Sequence, residues 1–86
     1  MKKFALSLIL LTTLGAGAAS AAELCQVPEA EWQPKEALEQ KLQADGWTIK
    51  KVKIDEGCYE VYGTNAKGEK QEVYFNPKTF DVVKAD

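Results

Sequence analysis

The chain has 86 residues, 13 acidic and 11 basic side chains for a net charge of −2, two cysteines and no histidine. A mildly acidic surface of mixed sign lacks the basic patch that nucleic acid or anionic lipid selects for. Without histidine, the commonest metal ligand and general base is missing.

Met1-Lys2-Lys3 is a short basic start, followed by an apolar run from Phe4 to about Leu14 and small residues through Ala22. That is the three-part layout of a secretory signal peptide. The apolar run is shorter than the roughly 20 residues that span a bilayer, so no stable membrane anchor is expected after cleavage. Ala19-Ser20-Ala21 and Ser20-Ala21-Ala22 both satisfy the small-x-small rule, which puts cleavage after Ala21 or Ala22 and the product in the periplasm or outside the cell. Glu23 and Leu24 precede Cys25 where a lipidation site wants small residues. The expected organisation is a signal peptide over 1–22, an N-terminal arm over 23–33 and one domain over 34–86.

Loss of Lys2 and Lys3 takes the net charge from −2 to −4 and leaves about 64 residues. At that length one core is marginal and a covalent staple is usual. Two cysteines in an exported chain read as one disulfide, Cys25 to Cys58. They lack the Cys-x-x-Cys spacing of a redox pair.

The arm carries Pro28 and Trp32, and Trp32 is expected to pack as a hydrophobic staple against Ala37. Pro34 suits a first helical position, and Glu36 favours the positive end of the helix dipole. The run from Pro34 to Asp45 is rich in helix formers. It sets Ala37, Leu38, Lys41 and Leu42 on one side before Gly46 ends it.

A strand starts at Trp47-Thr48-Ile49 and continues through Val52-Lys53-Ile54. The apolar parity changes between Ile49 and Val52, which predicts a bulge near Lys50-Lys51. Asp55-Glu56-Gly57 is a turn. The second strand, Cys58 to Tyr62, puts Tyr59 and Val61 on one face and Cys58, Glu60 and Tyr62 on the other. Gly63 to Gly68 is a polar turn. The third strand, Glu69 to Asn76, sets Gln71, Val73 and Phe75 against Lys70, Glu72 and Tyr74; Asn76 to Thr79 turns again, and Phe80 to Val83 is a short last strand.

The expected fold class is therefore α+β: one N-terminal amphipathic helix on a three- to four-stranded antiparallel β-meander with one disulfide. Leu38 and Leu42 would cover Val61, Val73 and Phe75. Glu60, Tyr62, Glu72 and Tyr74 would stand on the uncovered face. Because Cys58 shares that second parity, the arm must reach across or around the sheet edge to meet it.

Gly57-Cys58-Tyr59-Glu60-Val61, then Gly68, Glu72-Val73, Asn76-Pro77-Lys78-Thr79 and Val82-Val83 resemble the PepSY domain pattern. That pattern is Gly-x-Tyr-Glu-Val, a glycine turn, a second strand and an Asp-Pro-x-Thr-Gly turn. The resemblance runs from about Trp32 to Val83. Asn76 stands where the family has Asp, and Phe80 where it has Gly, so the last turn is expected to differ, a bulky residue taking glycine's backbone at a cost. The resemblance implies a small extracytoplasmic helix-plus-sheet module, of the kind found in peptidase propeptides and proposed to restrain peptidases. The disulfide lies outside the general pattern.

Catalytic chemistry finds little to work with. Thr48, Thr64 and Thr79 are the hydroxyls after residue 22 apart from tyrosine, with no base spaced to activate them, and paired cysteines leave no thiol nucleophile. Glu60 and Glu72 are the one candidate acid/base pair across a hairpin. Their simpler reading is a solvated face balanced by Lys50, Lys53 and Lys70. No calcium-loop spacing is present, and no cofactor or metal is expected. The expectation is a non-enzymatic module that binds a protein of the cell envelope, such as a peptidase, through Glu60, Tyr62, Glu72 and Tyr74 or an edge strand. The alternative is an envelope protein that binds a small ligand or cation.

Overall fold

A computed structural model describes residues 23–86. The signal peptide expected over 1–22 and its cleavage site lie outside the described residues. Among those described, no helix is long and apolar enough to cross a membrane. The order is a 3-10 turn (Glu29–Glu31), helix α1 (Lys35–Ala44) and strands β1 (Thr48–Asp55), β2 (Cys58–Thr64), β3 (Lys70–Phe75) and β4 (Val82–Ala85). The strands form one antiparallel sheet in the order β1-β2-β3-β4.

Pro34 precedes the helix instead of opening it. Its backbone is extended, ψ 146°, while its carbonyl already accepts the Ala37 N–H at 3.0 Å. The other end closes as a Schellman motif: Trp47 N–H reaches Leu42 O at 2.9 Å and Gly46 N–H reaches Gln43 O at 3.0 Å, with Gly46 at φ 95°. Leu38 and Leu42 are buried on Tyr59, Val61, Val73 and Phe75, with Trp32, Trp47, Ile49, Val52 and Phe80 packed around them. Burying one such leucine contributes about 2 kcal/mol.

The parity change in β1 is a register shift between Ile49 and Lys51. Lys50 is the extra residue. Asp55 pairs with Cys58 across a two-residue turn in which Glu56 and Gly57 both have positive φ, 51° and 74°. This matches the backbone twist that a tight hairpin requires.

Several strand boundaries depart from expectation, three of them for reasons visible in the structure. β2 runs on through Gly63 and Thr64, because Gly63 is a strand residue opposite Ile49; a Cβ there would strike Thr48 O. Its glycine is a close backbone approach at the bulge and not a turn signal. β3 starts at Lys70, since Asn65 Oδ1 accepts the N–H groups of Lys67 and Glu69 and holds Glu69 in the turn. β4 starts at Val82, two residues later than predicted, because Asn76 organises a longer turn. Asn76 Oδ1 accepts from Lys78 N and Thr79 N, and its backbone pairs with Phe80 N and Asp81 O. Phe80 takes the left-handed φ of 65° that the sequence argument reserved for glycine. That costs about 1 kcal/mol, offset by packing its ring against the core.

The disulfide joins Cys25 to Cys58. Cys25 N–H also donates to Glu56 O at 2.9 Å, and a Cβ on Gly57 would strike Cys25 O. From there the arm wraps the end of the sheet. Gln33 N–H donates to Pro77 O, and Trp32 stacks edge-on to Tyr59 on the helix side, 5.4 Å between centroids, its Nε1 bonded to Val27 O.

Candidate functional site

The second face of the sheet is a lattice of cross-strand rows. Lys53, Glu60, Tyr74 and Lys84 form one row; Lys51, Tyr62 and Glu72 form the next. Glu60, Tyr62, Glu72 and Tyr74 therefore do share one face. They are not uniformly open: Glu60 is 1% exposed and Tyr74 6%, while Tyr62 and Glu72 are half-buried. Tyr74 belongs to a small cluster with Cys25 and Cys58, so the arm's disulfide covers one end of this face.

The solvated-face reading of Glu60 is thereby corrected. The carboxylate lies under the side chains of its own neighbours, and of the three lysines expected to balance it, Lys53 is the one paired, Nζ 3.8 Å from Oε1. Tyr62 OH donates to Glu60 Oε2 at 2.8 Å, and Tyr74 OH donates to Asp55 Oδ2 at 3.0 Å. Glu60 Oε1 has no hydrogen-bond partner, which leaves the Lys53 ammonium as its compensating charge. Lys51 and Lys53 lie over the Tyr62 ring at 4.9 and 5.8 Å from its centroid, and Lys84 over Tyr74 at 5.6 Å. Each such contact is worth roughly 0.5–1 kcal/mol at an exposed site, and the lysine stems shield the carboxylate between them.

This arrangement separates the titrations of the two glutamates. Burial pushes the Glu60 carboxyl up, but Glu72, the Tyr62 and Tyr74 hydroxyls and Lys53 together outweigh it and hold it below the usual range. Glu72 is held above its usual range, chiefly by the facing Glu60 carboxylate. Tyr62 is pushed up mainly by its bond to Glu60, and Tyr74 mainly by burial. No group of three or more cysteine, aspartate or glutamate side chains gathers as a metal site among the described residues.

Two concavities flank this lattice. One, about 280 Å³, lies beyond Tyr62 and is lined by Thr48, Lys50, Tyr62, Gly63, Thr64, Lys70 and Gln71. The other, about 290 Å³, opens beside α1 on the helix side, where Leu42, Trp47, Val73, Phe75, Phe80 and Val82 meet. Sequence reasoning missed the first. Its signal is the parity change at Lys50, but reading Gly63 as a turn residue keeps it from its strand position opposite Ile49.

No curated protein and no solved structure matches the chain. The family model described as peptidase propeptide and YPEB domain matches residues 5–86, and over that span the chain belongs to this PepSY family.

Proposed function

We propose that the protein is an exported, non-enzymatic PepSY module that holds a protein partner of the cell envelope, a peptidase foremost, and restrains it. The family assignment supports a propeptide-like module able to bind or regulate peptidases. The observation that carries the non-enzymatic part is the state of the one candidate acid/base pair. Glu60 is sealed beneath Tyr62, Tyr74 and Lys53, out of reach of a substrate atom, and Tyr62 OH occupies its Oε2. A general base needs its lone pair within hydrogen-bond reach of the proton it takes. What the lattice supplies instead is a rigid polar surface on a stapled sheet, with Tyr62 and Glu72 as its accessible members. The Cys25–Cys58 disulfide favours an oxidising compartment, in keeping with the export signal expected over 1–22.

The test is titration of the purified protein into an envelope peptidase fraction hydrolysing casein. Saturable loss of hydrolysis is expected, weakened by Tyr62→Ala. Undiminished hydrolysis, with no complex in gel filtration, would overturn the proposal.

A further inference from the structure

We infer that β1 is a docking edge for an extended peptide segment in which acidic and apolar residues alternate, with an acidic side chain seated in the cup over Gly63. The inference rests on reading the domain as a protein-binding module, and it names where and what it binds.

Three observations converge on this edge. First, β1 is terminal in the sheet, and no backbone hydrogen bond joins Thr48–Asp55 to anything but β2 among the described residues. An eight-residue strand with one unpaired side is a template for strand addition. Second, charge is distributed against the overall balance. In an acidic chain, Lys50, Lys51 and Lys53 follow one another along β1 and Lys70 joins Lys50 around the cup, and of these four only Lys53 makes an ion pair among the described residues. Third, the strand's other side leaves Ile54 61% exposed, a large apolar residue that the core does not cover, with Val52 half-buried beside it.

The period of a strand turns these into a ligand pattern. Successive side chains of an added strand point to opposite faces. On the polar face they would meet Lys51 and Lys53, and on the helix face Val52 and Ile54. Carboxylates suit the first set and aliphatic groups the second. The bulge fixes the seat. It inserts Lys50 without a partner between Ile49, which pairs with Gly63, and Lys51, which pairs with Tyr62, and beside this irregularity lies the cup of about 280 Å³. Lys50 and Lys70 supply its charge, Thr48 and Thr64 its hydroxyls and Tyr62 an aromatic wall. A carboxylate fits that donor set. The opposite edge has exposed aliphatic groups, Val82 and Val83, but lacks the length and the free charge: β4 has four residues and a single lysine, Lys84, which is paired with Asp86.

The probe is a capped peptide, Ac-Glu-Val-Glu-Val-Glu-Val-Glu-NH2, added at low salt to the full chain expressed from its own start and followed by amide NMR. Shifts confined to Thr48–Asp55, Tyr62 and Lys70 are expected, with none for the same peptide carrying Lys in place of Glu. Lys50→Gln with Lys70→Gln should weaken binding roughly tenfold, the sum of two modest ion pairs. Ile54→Thr should weaken it without altering its salt dependence. Both variants change exposed side chains, and their unliganded spectra report folding directly. Absence of shifts, shifts centred on β4 or the helix-side groove, or equal binding of the Lys peptide would overturn the inference and leave the lysines as guards against edge-to-edge association. Peptide binding without peptidase restraint would keep this inference and sink the restraint. Restraint untouched by the lysine pair of changes, with peptide binding absent, would do the reverse.

Discussion

On the helix side of the sheet, Val61 and Val73 are buried because a separate element, α1, lays Leu38 and Leu42 across them. On the polar side Glu60 is just as inaccessible with no helix over it: two tyrosine rings, lysine stems and the arm's disulfide do the covering. The first kind of closure is apolar and non-directional, so its cost of disruption scales with the volume removed. The second depends on directed bonds to one charged group, so it responds to chemistry at constant volume. A domain this small closes both sides of a four-stranded sheet by spending its long side chains where it has no second helix.

The largest effect comes from cutting the staple that serves both sides. Replacing Cys25 and Cys58 by alanine opens a loop with a sequence separation of 33, and is expected to cost roughly 3.5–4 kcal/mol by chain entropy. It also frees the arm that carries Trp32 onto Tyr59 and uncovers Tyr74. Urea unfolding should show loss on both sides together. A midpoint within error of the parent protein would mean that the arm is held by its backbone bonds alone.

Next comes the helix side by itself. Leu38 is fully buried, and Leu38→Ala should cost about 3 kcal/mol in the same assay. The near-ultraviolet signals of Tyr62 and Tyr74 should persist in the folded fraction if the two closures are independent. Smaller again is Glu60→Ala, which leaves Tyr62 OH without its acceptor and hollows the lattice, at about 2 kcal/mol. Glu60→Leu keeps the volume and drops the charge. It leaves the Tyr62 hydroxyl as unpaired as alanine does, so Glu60→Leu should recover only the part of the loss that belongs to filling. Recovery to the parent's stability would show that the filling, and not the directed bonds, closes this side.

The difference between the faces also explains what was legible in the sequence. Leu38, Leu42, Val61, Val73 and Phe75 announce themselves by period, so the helix-covered core and the bulge at Lys50 could be read directly. Alternation also placed Glu60, Tyr62, Glu72 and Tyr74 on one face, but period says nothing about burial when the covering groups are tyrosines and lysine stems. Glu60 therefore read as solvated. The arm's path was open for a related reason: two cysteines state that a link exists, whereas the route around the hairpin end is set by Glu56 O and Pro77 O, backbone acceptors without a sequence signature. Gly63 was misplaced because glycine marks turns and close approaches alike.

The finest probe of the polar side is its pH dependence, and the two glutamates carry opposite signs. Glu60 titrates below its ordinary range in the folded state, so its contribution is present above the ordinary carboxylate value and is lost as pH falls through the lowered one. Glu72 titrates above its ordinary range, so its contribution is fully present below the ordinary value and is lost as pH rises through the raised one. Between these limits Glu60 is ionised and Glu72 protonated, the state in which the pair attracts and does not repel. Glu72→Gln keeps a donor facing Glu60 but cannot ionise. It should therefore match the parent in mild acid and exceed it in melting temperature toward neutral pH, the gap widening as Glu72 loses its proton. Glu60→Gln removes the facing charge and should lower the Glu72 titration toward the ordinary range in carboxyl-detected NMR, with burial and Asp86 still acting to raise it. Parallel melting profiles for the parent and Glu72→Gln would mean that the half-buried Glu72 is screened by water, and that only Glu60 belongs to the closed lattice.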